Sequence, residues 1–246
     1  MGWPEGWGRV RLDTVDSTNE EARRRAAAAE LGPLWIAADR QTAGRGRRGR
    51  AWADPGGALF ATALLRPRLP AREAAGLSFA ACLAVAEALD ALASGSQVAL
   101  KWPNDALLND RKVAGVLLES AGSGDRLDWL AVGIGLNLAV APEPAPEGWP
   151  PTSIAAETGA APAPDVALEA LAQSFARWSA RLEAEGFAPL RTAWLARAAR
   201  LGEKVTARLP GETVAGDFVD LDGDGALVLS GPFGLRRIHA ADVFFA

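Results

Sequence analysis

Lys101-Trp102-Pro103-Asn104-Asp105, followed by Lys112, sets two ammonium groups, an amide and a carboxylate within twelve residues. Cations concentrated in this way suit a reaction that brings anions together, because positive charge reduces their repulsion and stabilises charge in the transition state. In the strand that starts at Lys112, alternation places Lys112 on one face with Ala114, Val116 and Leu118, so its ammonium either snorkels to solvent or meets an anion. Gly115 falls on the opposite face, where glycine is unfavourable unless something approaches the backbone closely. In the stretch VGIGLNL (132–138), Gly133, Gly135 and Asn137 share a face by the same period. Two missing side chains beside an amide suggest a carved pocket; taken alone, the stretch also fits glycines as twist points and asparagine as a strand end.

Upstream lies AGRGRRGR, residues 43–50. Its glycines match the G-x-G-x-x-G spacing of a dinucleotide-binding turn, but such a turn must open a helix, and here Pro55-Gly56-Gly57 stops one. The acidic residue expected downstream would be Glu73, which begins a different helix. Arg40, Arg45, Arg47, Arg48 and Arg50 form a basic cluster on a chain of net charge −4. One such patch, without aromatic interleaving or a helix-turn-helix, is a poor nucleic-acid surface. An arbitrary Arg/Gly run is ordinarily a solvated surface loop. The remaining reading is an anion grip, in which glycines let the backbone come close while arginines neutralise a carboxylate and a phosphate. The lysine, asparagine and aspartate cluster supplies the rest of such a site and tips the balance toward this reading.

These residues need elements to hold them. Ser17 followed by Glu20 has the form of a capping box and predicts a helix running to Gly32. PLWIAADRQ reads as a buried strand, ALFATALLRP as an alternating strand and residues 72–93 as an apolar helix. QVALKW, ALLN and RKVAGVLLES, joined by tight turns, predict an antiparallel meander, with RLDWLAVGIGLNLAV as a further strand. Five prolines between Pro142 and Pro151 mark a loop, and two helices follow over 164–185 and 188–201, with Leu168, Leu171, Phe175, Trp178 and Leu182 at helical spacing. Helices and strands without βαβ alternation predict an α+β fold, a mixed and mainly antiparallel sheet packed with helices. From residue 203, short strands punctuated by Pro210-Gly211, Asp222-Gly223-Asp224-Gly225 and Gly231-Pro232 predict a small β-barrel. The expected domains are 1–201 and 202–246.

DSTNEEA (16–22), QTAGRGRRGRAW (41–52), KWPNDALLNDRKVAGVLLE (101–119), VGIGLNL (132–138), TSIAAETG (152–159) and the terminal barrel resemble the biotin protein ligases over most of the chain, and the second and third stretches are long and specific. The resemblance implies a class II aminoacyl-tRNA synthetase-like fold of the biotin/lipoate ligase type. It implies a two-step reaction in which biotin and ATP form biotinyl-5′-adenylate, releasing pyrophosphate, and a lysine of a biotin carboxyl carrier protein domain then takes the biotinyl group. Lys112 would be the main catalytic cation, on the biotin carboxylate and α-phosphate, with Arg45 and Arg47 closing over the adenylate phosphate. Ser17, Thr18, Asn19, Gln41 and Gly44 would lie on the biotin side, with Gly115 giving the ureido ring backbone access and Trp52 walling the pocket. Lys101, Asn104 and Asn137 would lie on the ATP side, with Asp105 as an oxygen ligand for Mg²⁺. The proline-rich loop with Trp149 would order over the adenine. Regulatory members of the family begin with a DNA-binding winged helix, whereas fifteen residues precede Asp16 here, so no repressor activity is expected.

His239 is the only histidine and Cys82 the only cysteine, which argues against a Ser-His-Asp triad, a disulfide or a Cys/His metal cluster. Cys82 is expected in the core, His239 in or on the barrel, and DLDGDG in a hairpin turn, since no Glu follows at EF-hand spacing. The N-terminus lacks an apolar signal core and Glu87 and Asp90 break the most apolar run, so a cytoplasmic protein with neither a membrane span nor a DNA partner is expected. ALFATALL, if an edge strand, would support a homodimer. The rivals are a lipoate ligase or transferase, a nucleic-acid-binding module and a non-catalytic biotin-binding regulator. The Gly/Arg loop followed by KWPND favours biotin, and the acidic charge with the lysine and aspartate cluster counts against the other two.

Overall fold

Alternating apolar residues let one face of a sheet bury against helices while the other remains available for chemistry. The computed structural model describes residues 2–30, 32–144, 149–232, 234–239 and 241–245. Strands β1 (Gly8–Val15), β2 (Leu34–Gln41), β3 (Ala58–Leu65), β4 (Val98–Lys101), β5 (Asp105–Leu108), β6 (Arg111–Ser123) and β7 (Arg126–Asn137) form one sheet in the order β1-β2-β3-β7-β6-β5-β4. β1 and β2 are parallel and the other neighbours antiparallel, which is the mixed sheet the pattern predicts.

Helices α1 (Thr18–Ala27), α2 (Ala71–Ala74), α3 (Leu77–Leu92), α4 (Ile154–Thr158), α5 (Pro164–Glu185) and α6 (Ala188–Leu195) pack around it. On the face toward α3 and α5, Leu59, Ala61, Val132, Ile134 and Leu136 join Leu83, Leu89, Leu171 and Phe175 in the main core. Trp35 meets Phe175 edge-on there, with centroids 5.6 Å apart. On the other face Ala22 and Ala26 of α1 pack on Leu34, Ile36 and Leu64. The run from Ala71 to Leu92 is long and apolar enough by composition to cross a membrane, but 67% of its most apolar window is buried inside the fold.

Several boundaries differ from the sequence expectation. α1 stops at Ala27, and Ser17 sits at its N-cap without a side-chain cap bond. The capping box fails because Glu20 reaches out to arginines, Arg45 among them. The helix over 72–93 divides at Gly76, where a Cβ would lie 3.0 Å from both Glu73 O and Leu182 Cδ1 of the crossing α5. α6 ends at Leu195 because the chain turns to bond the sheet edge, with Leu100 N–H donating to Arg197 O and Ala199 N–H to Leu100 O. β3 is not an edge strand; it pairs with β2 and β7, and its apolar run reflects burial in the middle of the sheet.

The C-terminal strands β8 (Lys204–Leu209), β9 (Glu212–Leu221), β10 (Leu227–Gly231), β11 (Gly234–Ile238) and β12 (Asp242–Phe245) form a sheet in the order β11-β10-β9-β8-β12. Among the described residues β11 and β12 do not pair, so the expected barrel is an open antiparallel sheet. Asp222 Oδ1 accepts the N–H groups of Asp224 and Ala226, making DLDGDG the expected hairpin turn. Trp102 Nε1–H donates to Gly225 O at 3.0 Å and ties this turn to the main sheet. Cys82 is buried in α3, where burial pushes its thiol up, and His239 is exposed after β11.

Candidate active site

A cavity of about 340 Å³ opens on the sheet face beside α1. Ser17, Thr18, Asn19, Gln41, Arg45, Arg47, Trp52, Lys101, Asn104, Asp105, Lys112, Gly115 and Asn137 all border it, from segments far apart in the chain. Of the expected site residues Gly44 alone is outside this lining. A Cβ there would lie 2.6 Å from Trp52 O, so glycine lets the two arms of the Arg/Gly loop approach, and Trp52 N–H donates to Gly44 O.

Strict alternation puts Lys112 and Gly115 on opposite faces, yet both border the cavity. Ala106 pairs with Ala114 and Leu107 with Lys112, leaving Val113 as an extra residue. This bulge turns Val113 into the core and returns the Lys112 side chain to the face of Gly115. Lys112 Nζ lies 2.7 Å from Asp105 Oδ1, and Lys101 Nζ lies 3.8 Å from Asp105 Oδ2. Burial alone would push the Asp105 carboxyl up, but the Lys112 and Lys101 ammoniums outweigh it and hold the group below the usual carboxylate range. Burial also lowers Lys101, against the pull of Asp105. Both Asp105 oxygens therefore face ammonium groups. Among the described residues no group of three or more His, Cys, Asp or Glu could hold a metal. In this arrangement Asp105 is the counter-ion of two lysines, and one of its oxygens would have to exchange a lysine to take the magnesium role expected of it.

The proline-rich loop returns beside Lys112, whose N–H donates to Pro150 O and whose carbonyl accepts from Thr152 N–H, both at 2.8 Å. Trp149 Nε1–H donates to Asp110 O, and Lys101 Nζ lies 5.8 Å from the Trp149 ring centroid. Pro146, also counted in that loop, lies outside the described residues.

At the opposite end Ser17, Thr18 and Gln41 present neutral hydrogen-bonding groups to the cavity. Gln41 Oε1 accepts from Thr18 N–H at 2.7 Å and from the Thr18 hydroxyl at 3.1 Å. Thr62 Oγ1 lies 2.8 Å from Thr18 Oγ1 and 2.7 Å from Asn19 Oδ1. Asn19 Nδ2 donates to Glu119 Oε2 at 2.8 Å and Leu117 O at 3.3 Å. The Asn19 amide is thus committed to the protein and braces Thr18 through Thr62. Gly133 makes room for that amide, since a Cβ there would lie 2.2 Å from Asn19 Oδ1.

Trp52 occupies the other gaps. Cβ atoms at Gly115 and Gly135 would lie 2.7 and 2.5 Å from its indole, so these glycines accommodate a ring of the protein rather than leave bare backbone for a ligand. Lys112 Nζ lies 5.3 Å from the same ring centroid. Trp52 Nε1 and Asn137 Oδ1 are buried without a hydrogen-bond partner among the described residues, while Asn137 Nδ2 donates to Thr152 O.

The two arginines of the loop have different surroundings. Arg45 Nη2 is 3.2 Å from carboxylate oxygens of Glu20 and Glu119. Burial lowers Arg47, against the opposing field of Asp242, and its Nη1 is 3.4 Å from Asn104 Oδ1. Asn104 also braces the meander turn, donating from Nδ2 to Val116 O and accepting Val116 N–H on its own carbonyl. Sequence reasoning missed Thr62, Glu119 and Asp242. Thr62 had a signal, a lone hydroxyl in the apolar run ALFATALL; the two acids had none.

The family profile of the biotin/lipoate A/B protein ligases matches residues 12–137, and that of the biotin protein ligase C-terminal domain matches residues 201–246. The chain belongs to the biotin/lipoate A/B protein ligase family. It is 51% identical over 238 residues to a biotin–[acetyl-CoA-carboxylase] ligase of Paracoccus denitrificans, covering 95% of this chain and 99% of that protein. Its activity is that of a biotin–protein ligase. The fold matches the Aquifex aeolicus biotin protein ligase solved with biotin and ATP, with a TM-score of 0.82 at 28% identity over 97% of this chain and 99% of that one. It also matches the Leishmania major biotin protein ligase solved with biotinyl-5-AMP, with a TM-score of 0.64 at 27% identity over 96% of this chain and 100% of that one.

Proposed function

We propose that this cavity joins biotin to ATP as biotinyl-5′-adenylate and passes the biotinyl group to a lysine of a biotin carboxyl carrier protein domain. The observation that carries this reading is the polarity of the cavity, with neutral hydrogen-bonding groups of Ser17, Thr18 and Gln41 at one end and the cations Lys101, Lys112 and Arg47 at the other. Biotin has the same polarity, a ureido ring at one end and a carboxylate at the other.

Ser17, Thr18 and Gln41 hold the ureido ring, and Trp52 walls the bicycle. Lys112 neutralises the biotin carboxylate and the α-phosphate as the carboxylate oxygen attacks the α-phosphorus. The bond from that phosphorus to the pyrophosphate oxygen breaks and pyrophosphate leaves. Arg45 exchanges its Glu20 and Glu119 partners for the adenylate phosphate, and Arg47 closes over the same group. Lys101, Asn104 and Asn137 line the ATP side, where the unpartnered Asn137 Oδ1 is an available acceptor. In the second step the neutral amine of the acceptor lysine attacks the acyl carbon, the acyl–oxygen bond breaks, AMP leaves with the electron pair and the amine nitrogen gives up one proton to solvent.

Residues 1–201 form the catalytic domain and 202–246 a second domain that contributes Asp242, Val243 and Phe244 to the cavity wall. A cytoplasmic setting is consistent with one buried cysteine, and the net charge of −4 counts against DNA as a partner. The test is to incubate the full chain with ATP, Mg²⁺, a carrier domain and either biotin or lipoate, following adenylate and carrier mass. The carrier gains a biotinyl group, and only with biotin. Modification without biotin, or a preference for lipoate, overturns the reading.

A further inference from the structure

The Arg/Gly loop is held at a point outside the main sheet. Arg48 Nη1 lies 2.8 Å from Asp242 Oδ2 and Arg50 Nη2 lies 2.9 Å from Asp242 Oδ1, so a single carboxylate of β12 receives both arginines. Among the described residues neither arginine side chain has another hydrogen-bonding or ion-pair partner. Arg48 stands at φ 57, in the left-handed region that a residue with a Cβ adopts reluctantly, and Gly49 follows at φ 72. Within the turn Gly46 N–H donates to Arg50 O at 2.7 Å and Arg45 bridges Ala51, and Arg47 Nη1 reaches Asn104 Oδ1 at 3.4 Å. Arg47 lies within this turn and borders the cavity together with Asp242. The β12 backbone is secured independently, since Asp242 pairs with Arg208 in the β8–β12 ladder.

We propose that Asp242 is a positioning residue that ties the Arg48 and Arg50 turn to the C-terminal sheet and so keeps Arg47 over the reactive intermediate. This rests on the adenylate reading of the cavity. Asp242 touches no reacting group; it acts through the loop, and it makes retention of the acyl-adenylate depend on where the C-terminal sheet sits. The unfavourable backbone at Arg48 means that a loop released from Asp242 relaxes away from this conformation.

The test compares the full-length protein with Asp242→Asn, Asp242→Glu, the double variant Arg48→Gln/Arg50→Gln, and the triple variant combining that double with Asp242→Asn. Three quantities are read: tryptic nicking at residues 45–50 of the ligand-free chain (for the single variants), the rate at which pre-formed biotinyl-5′-adenylate is released, and the melting temperature. Asp242→Asn is expected to speed both nicking and release about tenfold while the melting temperature stays near wild type. Asp242→Glu, which keeps the charge, stays near wild type. The double variant releases adenylate as fast as Asp242→Asn, and the triple variant no faster, because one contact has been removed from either side. Wild-type nicking and release in Asp242→Asn, independent multiplication of the effects, or a fall in melting temperature that accounts for every change would each overturn the proposal. If the wild-type chain makes no adenylate, the reading of the cavity fails, and nicking, which needs no catalysis, still decides whether Asp242 anchors the loop.

Discussion

Gly133→Ala adds one methyl group, and the structure says what that methyl meets. Its Cβ would lie 2.2 Å from Asn19 Oδ1, 2.9 Å from Cγ and 3.0 Å from Nδ2. Ordinary contact begins near 3.4 Å, so the amide must retreat from 2.2 Å by about 1.2 Å. Asn19 is only 4% exposed and its amide already bonds to Thr62, Glu119 and Leu117. A shift of that size takes the bonds to Thr62 and Glu119, at 2.7 and 2.8 Å, out of range. Each buried group left unpaired costs about 1–3 kcal/mol, so Gly133→Ala should destabilise the fold by about 3 kcal/mol. The same displacement loosens Thr62, and through it the Thr18 and Gln41 pair, so biotin affinity should fall by about tenfold. Urea unfolding followed by tryptophan fluorescence measures the first effect and titration calorimetry with biotin the second. The decisive comparison is Asn19→Ala/Gly133→Ala. Alanine at position 19 removes the obstructed amide, so the double variant should be more stable than the sum of the two single effects by at least about 1 kcal/mol. Gly133→Ala matching wild type within about 0.5 kcal/mol, or strict additivity in the double variant, would refute the packing argument.

Lys112→Ala should abolish ATP–pyrophosphate exchange while circular dichroism stays native, because its ammonium lies 2.7 Å from a carboxylate at the cationic end of the cavity; near-normal exchange would show that its role is misassigned. Asp105→Asn leaves Lys101 and Lys112 facing each other without their counter-ion, and with the Asp105 and Lys101 side chains 12% and 9% exposed it should cost about 3 kcal/mol in urea unfolding. The folded Asp105 carboxyl is held below the ordinary value of 3.8, so the folded state takes up a proton less readily than the unfolded one. Its contribution is therefore full above about pH 3.8 and is lost as pH falls through the folded value, which predicts a stability loss below about pH 3.8 that is smaller in Asp105→Asn. Arg47→Gly should release adenylate and biotinylate bystander lysines; an unchanged release rate and unchanged acceptor selectivity would count against the clamp.

Much of the site was legible before any coordinate. Lys101, Asp105, Lys112, Arg47 and Gln41 are charged or polar residues in apolar or glycine-rich surroundings, and period 2 placed Gly133, Gly135 and Asn137 on one face, as β7 has them. Alternation and turn chemistry depend on neighbours a few residues away, so the sequence by itself determined the strands from β2 onward, the meander, the main helices and the Arg/Gly loop, while β1 (Gly8–Val15) emerged only from its pairing with β2. The tertiary structure alone decided that a bulge at Val113 brings Lys112 round to the face of Gly115, because bulges arise from pairing between strands. It decided that Trp52 fills the space the glycines open and that Asp105 faces two lysines. It also decided that Arg48 and Arg50 share Asp242 as a partner, 194 and 192 residues away in the chain. No local pattern encodes such a pairing; it exists only because the C-terminal sheet packs where β12 reaches the loop.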